Sequence, residues 1–358
     1  MRIVLVGHAY PPYPGGLSDV LYNLSEEFVK LGHEVKVITL SSHPGVSKTQ
    51  VSPGLEVFRV QGFAPSNAYF FPHPSMLKLI GAFEADVLHA HNIGALTVPM
   101  AALAHRLFRK RSRLVISPHH HAKGSKTHTR MAWLAYKPFA QKTLRAADKV
   151  HAVSSYEASL LHRDFGVDPV LVPNGIGSDV FGYEWRPPLP DGEAIITYAG
   201  RMERYKRVES LVRALSIAQK MTGRKARLRL TGSRDGVGAM MDLGRTLSVQ
   251  IEQLGYLPRE DYLTRLAGST VLANVSRYEA YSLVTAEALA MGVPVVVSKP
   301  WGYDFSGPKT TLVDGEDVEE IAGALAQRIL GSQEGTGGKI AVPTWRVTAK
   351  RIVEELYE

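Results

Sequence analysis

The chain has 358 residues, 45% hydrophobic and 21% charged, with 13 histidines, no cysteine and a formal net charge of +8. That length suggests two domains of roughly 100 to 200 residues each. The absence of cysteine excludes disulfides, thiol nucleophiles and cysteine-ligated zinc. No uninterrupted apolar run reaches the ~18 residues that span a bilayer, and Met1 leads straight into RIVLVG without a signal-peptide pattern. A cytoplasmic protein is expected. The basic surplus is local: residues 1–180 hold 19 Lys and Arg against 12 Asp and Glu, and residues 87–147 contain no acid at all. That acid-free stretch includes Arg106, Arg109, Lys110, Arg111, Arg113, Lys123, Lys126, Arg130, Lys137, Lys142 and Arg145. It predicts an anionic partner: nucleic acid, a phospholipid surface or a phosphorylated substrate.

Strand and helix patterns alternate from the start. RIVLVGH reads as a strand, a helix is predicted from about Asp19 to Leu31, and HEVKVITL reads as the next strand. LEVFRV, ADVLHA, RLVISP, DKVHAV and PVLVP follow, with helical stretches LTVPMAALAHRLF and SSYEASLLHRDFG among them. This is the βαβ rhythm of a parallel sheet covered on both faces. After the first strand, Gly15 and Gly16 suit either a tight turn needing positive φ or the close approach of a phosphate or sugar. Their spacing is not GxGxxG, so a hydride-transfer enzyme loses support. His89 and His91 share one strand face, where packed, hydrogen-bonded roles are expected. His119, His120 and His121 follow RLVISP. Adjacent side chains of an extended segment alternate in direction, so three such histidines do not converge on one metal ion. One of them can reach the strand's carboxyl end as a hydrogen-bond donor.

The polar, proline-containing residues 178–193 read as a linker. A second cycle follows: AIITYAG, a helix from Val208 to Lys220, ARLRLTG, VQIEQLGYLP and TVLANVS. The division expected is thus 1–177, a linker 178–193, 194–338, and a terminal helical segment 339–358 after the loop GSQEGTGG. Open α/β sheets bind ligands beyond the carboxyl ends of their strands, and two facing sheets would offer a cleft. Arg201 and Lys206 follow the strand AIITYAG, where two permanent cations suit a diphosphate leaving group. Gly232, in TGS, follows another strand.

Residues 279–298 read EAYSLVTAEALAMGVPVVVS. Inside one helix, Glu279 and Glu287 would stand ~12 Å apart, too far to share one small group. Glu279 is therefore expected before the helix and Glu287 in its second turn. Ser282 is the predicted N-cap, Gly292 the left-handed C-terminal residue, and Pro294 the stop before a buried strand. Amides near 283–285 would lie between the two carboxylates, so the segment suits a ligand with both hydroxyls and a phosphate. Walker A, G-x-S-x-G and DxD patterns are absent, which leaves P-loop, serine-hydrolase and divalent-metal readings poorly supported.

Taken together, PPYPGG, ADVLHAH, VISPH, ADKVHAVSSYE, VPNGI with Phe181, AGR with Lys206, and the Glu279–Glu287 element resemble the retaining nucleotide-sugar glycosyltransferases of family 4. The resemblance covers nearly the whole chain. It implies an α/β fold of the GT-B class, with two doubly wound Rossmann-like domains facing across a cleft. In that family the C-terminal domain holds the nucleotide sugar and the N-terminal domain receives the acceptor. By resemblance, His119, Arg201, Lys206 and Glu279 are the catalytic residues. Arg201 and Lys206 would stabilise the diphosphate, Glu287 would bind ribose hydroxyls, and Glu279 would contact the transferred sugar. His119 would lie near that sugar and Gly15 and Gly16 near the phosphates, with Gly232, Tyr281, Ser282 and Leu283 completing the donor site. Neither metal nor cofactor is implied. Trp345 and the terminal helix resemble a segment that crosses back onto the first domain. Two positions depart from the pattern. Ala280, Tyr281 and Ser282 stand where Gly-Phe-Gly is frequent, so that Ser282 either hinders a backbone contact or caps the helix. Arg207 replaces a frequent glycine.

The expected activity is transfer of a hexosyl group from a nucleotide diphosphate sugar, UDP- or GDP-hexose, to an acceptor sugar or a lipid-linked or phosphorylated acceptor. Trp133, Tyr136 and Phe139, interleaved with the lysines of residues 106–145, favour an anionic membrane surface and peripheral attachment at the cytoplasmic face. A nucleotide-sugar epimerase and a non-catalytic sugar-nucleotide binder are the alternatives. Nucleic acid is not expected, because no reading module accompanies the charge.

Overall fold

The computed structural model describes residues 1–63, 71–108, 111–121, 127–188, 192–233, 235–331 and 340–358. The basic residues Arg109, Lys110, Lys123 and Lys126 lie outside them, as do 189–191 of the expected linker and 332–338 of the glycine-rich loop. The chain divides into two compact units, Met1–Gly175 with Pro343–Glu358, and Ile176–Val342.

In the first unit the strands are β1 (Arg2–Val6), β2 (Glu34–Ser41), β3 (Val46–Ser52), β4 (Leu55–Phe63), β5 (Phe71–Pro72), β6 (Val87–His91), β7 (Arg113–Ser117), β8 (Lys149–Ala152) and β9 (Val170–Leu171). The helices are α1 (Gly16–Lys30), α2 (Ser75–Ala82), α3 (Thr97–Leu107), α4 (Thr127–Arg145) and α5 (Ser155–Phe165). The sheet runs β3-β4-β2-β1-β6-β7-β8-β9, with β5 on β4. From β4 to β9 the neighbours are parallel; each of these strands after β1 returns through a helix, except β4, which follows β2 by way of β3. The edge departs from the all-parallel expectation: β3 pairs antiparallel with β4, since Pro53 and Gly54 (φ 86°) turn the chain directly back. Helix α1 begins at Gly16, a turn before the expected Asp19. Val4, Val6, Leu88, Ala90, Leu114 and Ile116 point into one core with Phe165 of α5.

The second unit has strands β10 (Ala194–Gly200), β11 (Ala226–Gly232), β12 (Gln250–Gly255), β13 (Val271–Asn274), β14 (Val295–Ser298) and β15 (Thr310–Val313). Its helices are α6 (Val208–Thr222), α7 (Val237–Thr246), α8 (Arg259–Ala267), α9 (Leu283–Met291) and α10 (Val318–Ile329). The sheet order is β12-β11-β10-β13-β14-β15, with every pairing parallel. Order reverses at β10, whose neighbours are β11 and β13, and open sheets place ligands at such switch points. The carboxyl ends of β10 and β11 pack so closely that a Cβ on Gly232 would lie 2.6 Å from the Gly200 carbonyl oxygen. Residues 178–188 are not a free linker. They open with a short helical turn, Ser178–Gly182, and the Trp185 and Arg186 amides then donate to the carbonyls of Met291 and Ala267.

The terminal helix α11 (Trp345–Ile352) starts at Thr344, whose hydroxyl accepts the Val347 amide, and continues as a wider turn over Val353–Tyr357. It belongs to the first unit: Thr348 donates to the Pro173 carbonyl at 2.9 Å, and the Tyr357 ring packs 5.5 Å from Phe28. Chain approach is tight there, for a Cβ on Gly175 would meet the Trp345 nitrogen at 2.4 Å.

Candidate active site

The segment containing both glutamates folds as local sequence dictates. Ser282 caps α9 by accepting the Thr285 amide, and Gly292 closes it with φ 87°. The helix is apolar nearly all round and Thr285 to Met291 are all buried, so Glu287 is carried into the interior. Glu279 precedes the helix. Its Oε1 accepts a hydrogen bond from Lys206 Nζ at 2.5 Å and faces Asn274 Nδ2 at 3.4 Å. Burial by itself lowers the lysine's proton affinity. Here Glu279, with the phenols of Tyr205 and Tyr198, outweighs it and holds Lys206 above its ordinary value. Tyr205 stacks on Tyr278 with ring centroids 4.7 Å apart and interplanar angle 9°, which fixes the turn carrying Lys206. Arg201, one residue past β10, pairs with Glu203 at 2.8 Å and keeps half its side chain exposed.

The two departures from the family pattern have physical causes. The Ser282 hydroxyl is committed to Thr285 Oγ1 (2.7 Å), the Thr285 amide and Asn274 Nδ2 (3.1 Å). It acts as the cap and takes up the Thr285 amide of the first turn. Arg207 has φ 55°, a left-handed conformation that favours glycine, and its guanidinium pairs with Glu316. Tyr281 packs 5.2 Å from Phe305. Glu287 sits in an ion pair that local sequence does not foretell: Arg259 Nη1 donates to its Oε1 at 2.6 Å and the Tyr262 hydroxyl to its Oε2 at 2.7 Å. Burial, against the pull of Arg259, leaves its carboxyl above the ordinary value.

In the first unit, Gly15 (φ 147°) and Gly16 open α1, and a Cβ added at either would find no atom within 4 Å. The three adjacent histidines diverge. His119, with φ 47°, turns its Nε2 to His91 Nδ1 at 3.1 Å. The His120 ring reaches Asp164 at 3.0 Å and stacks on Trp133, while its amide donates to Glu157 Oε1 at 2.6 Å. His121 is exposed. Burial, helped by the charges of His151, His8 and His121, pushes His119 down to about 3, so its ring is neutral near neutral pH. Burial also raises Glu157 to about 8, against two backbone donors, Val153 and His120.

Behind His119 runs a buried polar chain whose direction follows from its end. A carbonyl can only accept, so His151 Nε2 donates to Val172 O (2.7 Å) and Nδ1 accepts from Ser117 (2.6 Å). Ser117 then accepts from His89 Nε2 (2.7 Å), and His89 Nδ1 accepts from the Tyr357 hydroxyl (2.6 Å). His89 is therefore packed and hydrogen-bonded. His91 differs: its Nε2 is buried and has no partner among the described residues. A bare ring lone pair is less costly to bury than an orphaned N–H, so the His91 proton belongs on Nδ1, donated to His119. That leaves the His119 proton on Nδ1. Asn92 (φ 72°), whose amide meets His8 Nδ1 at 3.1 Å, stands beside them at the end of β6. Sequence reasoning missed Arg259, Tyr262, Asn274 and Glu157. Only the last had a local signal, the S-x-x-E spacing of a capping box at Ser154 and Glu157; the Glu157 amide does donate to the Ser154 hydroxyl, while the Glu157 carboxyl accepts the Val153 and His120 amides.

The aromatics expected to face an anionic surface are redistributed. Trp133 stacks inward on His120 and Tyr136 donates to the Ile93 carbonyl, so of the three only Phe139, 52% exposed, faces solvent. Helical spacing puts Met131 and Leu134, 69% and 60% exposed, on the outside with it.

Two doubly wound α/β units are the architecture of the GT-B class, and the family matches make this chain a nucleotide-sugar glycosyltransferase. Residues 14–180 match the family model described as Glycosyltransferase Family 4, and residues 193–330 the model described as Glycosyl transferases group 1. The chain belongs to the glycosyltransferases. It is 24% identical over 410 aligned positions to an MMP alpha-(1->4)-mannosyltransferase of Mycolicibacterium hassiacum, covering 99% of this chain and 97% of that one. A shorter match, 29% over 211 positions, joins it to D-inositol 3-phosphate glycosyltransferase of Rhodococcus erythropolis, covering 52% of this chain and 46% of the relative. A solved structure of Anabaena HepE in complex with UDP-glucose superposes with a TM-score of 0.70 at 17% identity, over 100% of this chain and 96% of that chain.

Proposed function

We propose that the protein is a retaining hexosyltransferase using a UDP- or GDP-hexose, with the donor held by the second unit and the acceptor by the first. The observation that carries this reading is the Lys206–Glu279 ion pair at 2.5 Å, set after β10 and just before a capped helix that bears Glu287. Lys206 and Arg201 supply positive charge where a diphosphate leaves. The amides at Leu283 and its neighbours supply donors along the helix axis. Glu279, tied to Lys206 and facing Asn274, serves as an acceptor for sugar hydroxyls rather than as a nucleophile. The family resemblance implies substitution on the same face of the sugar: the bond from the anomeric carbon to the phosphate breaks as the bond to the acceptor oxygen forms, and the leaving phosphate accepts the acceptor's hydroxyl proton. His119 offers a neutral N–H to the sugar, and Gly15, Gly16 and Gly232 let phosphate oxygens approach backbone.

The acceptor side rests on charge. Phe139, Met131 and Leu134 lie on α4 with Lys142 and Arg145, in a stretch without acids, which suits a lipid-linked or phosphorylated acceptor at an anionic surface. No helix among the described residues is long and apolar enough to cross a membrane. The test is a thermal-shift screen of UDP, GDP and ADP sugars, followed by NMR of the product's anomeric centre. A bound donor raises the melting temperature by mass action. No shift with any donor, or an inverted product, would overturn the reading; an epimer accumulating without acceptor would replace it.

A further inference from the structure

Glu287 is 8% exposed, yet a carboxyl meant to accept two hydroxyl protons must be ionised. Burial opposes that charge, and one residue answers it. Arg259, at the start of α8, donates through Nη1 to Glu287 Oε1 at 2.6 Å. Its other edge grips Asp179, Nε to Oδ2 at 2.8 Å and Nη2 to Oδ1 at 3.3 Å. The two-point grip on Asp179 fixes the plane of the guanidinium, and so the direction from which Glu287 is held. Tyr262, one turn along α8, takes Oε2 at 2.7 Å. The chain makes room for this arrangement: a Cβ on Gly177 would fall 2.2 Å from Asp179 Oδ1 and 3.2 Å from Arg259 Nη2. Each Glu287 oxygen thus keeps one lone-pair direction for a ligand, and the two together match a vicinal diol.

We propose that Arg259, held by Asp179, is a positioning residue that keeps Glu287 ionised and aimed, and thereby gives the protein its preference for ribose over 2′-deoxyribose in the donor. The inference rests on the reading of Glu287 as the ribose acceptor. The titratable groups facing Glu287 are Arg259 and Tyr262 of α8, with Asp179 behind Arg259. Removing Arg259 deletes the cation opposing burial, so the carboxyl takes up a proton and one of its two acceptor positions is lost.

The experiment is titration calorimetry of UDP and GDP, each against its 2′-deoxy counterpart, on the full chain and on Arg259→Gln, Arg259→Lys and Glu287→Gln. Wild type is expected to prefer the ribonucleotide at least about tenfold, the scale of a hydrogen bond to a charged group. Arg259→Gln loses that preference, and Arg259→Lys recovers part of it. A merely structural arginine would weaken both nucleotides equally and leave their ratio unchanged, which overturns the proposal. Glu287→Gln separates the two levels. If it keeps the preference, the ribose reading of Glu287 fails; if it loses the preference while Arg259→Gln keeps it, only the role of Arg259 fails. Should Arg259→Gln not fold, Arg259→Lys and carboxyl-carbon NMR of Glu287 in the wild type decide. A Glu287 that is protonated at about pH 6 in the wild type overturns the proposal.

Discussion

The strand ends of the two units treat charge in opposite ways. In the first, His119 and His91 meet through ring nitrogens, and burial keeps His119 neutral by pushing it to about 3. In the second, charge is retained and paired: Lys206 with Glu279, Arg259 with Glu287 and Asp179, Arg201 with Glu203. A neutral N–H recognises a hydroxyl without attracting a phosphate. Fixed cations do the reverse and act most strongly on charge that grows as a bond breaks. On the proposed function, the difference separates recognition of a sugar from stabilisation of its leaving group.

The sharpest way to break this comparison is at Lys206. Lys206→Ala is expected to lower nucleotide-sugar turnover at least about a hundredfold, the scale of losing one preorganised charge partner. It also strands Glu279, costing up to ~3 kcal/mol of stability. Adding Glu279→Gln should restore much of the melting temperature but none of the turnover. If the double variant regained activity, the lysine would matter only as a partner for the acid.

The first unit answers to a smaller change. His119→Gln is expected to reduce turnover about tenfold, as for one hydrogen bond. The sign of the pH effect follows from its depressed value: His119 is neutral on both sides of the ordinary histidine range, so it contributes no titrating limb between about pH 5 and 8. A wild-type limb in that range that vanishes in His119→Gln would show a cationic ring, and the contrast between the units would collapse.

What was legible in the sequence is what neighbours dictate. Ser282, Gly292 and Pro294 are local punctuation, and helix α9 starts and stops at them. Arg201 and Lys206 were visible because a β-branched strand and a glycine precede them. The partners that tune the site were not legible. Arg259 and Glu287 are 28 positions apart, His91 and His119 also 28, and His120 and Glu157 are 37 apart. Such contacts depend on which helices the sheet order brings together. Trp133 and Tyr136 illustrate the converse, since aromatic residues among lysines turned inward once α4 had a core to face.

Glu157 offers a test through stability. Its carboxyl stands at about 8 in the folded protein against an ordinary 4.5. The folded state therefore binds the proton more tightly than the unfolded state. Its contribution is full below about pH 4.5, declines as pH rises, and is lost above about 8. Melting temperatures measured across that window should fall with pH in wild type by a component absent from Glu157→Gln. Equal slopes would mean that the two backbone donors, Val153 and His120, hold Glu157 ionised throughout.

The smallest effect concerns the turn behind Lys206. Arg207 has φ 55°, where a Cβ is crowded by the following carbonyl at a cost of roughly 1 kcal/mol. Its contact with Glu316, which is 63% exposed, returns at most about 1 kcal/mol because solvent screens it. Comparing Arg207 directly with glycine would mix these two terms. Comparing Arg207→Gly with Arg207→Ala isolates the backbone, since both lose the ion pair equally. Glycine should be the more stable by about 1 kcal/mol, reversing the usual order in which alanine wins by restricting the unfolded chain. Denaturant midpoints decide between them. If alanine matches or exceeds glycine, the left-handed turn is relaxed around a side chain, and the rigidity that holds Lys206 against Glu279 comes from other contacts, among them the Tyr205–Tyr278 stack and the Arg277 amide on the Tyr205 carbonyl.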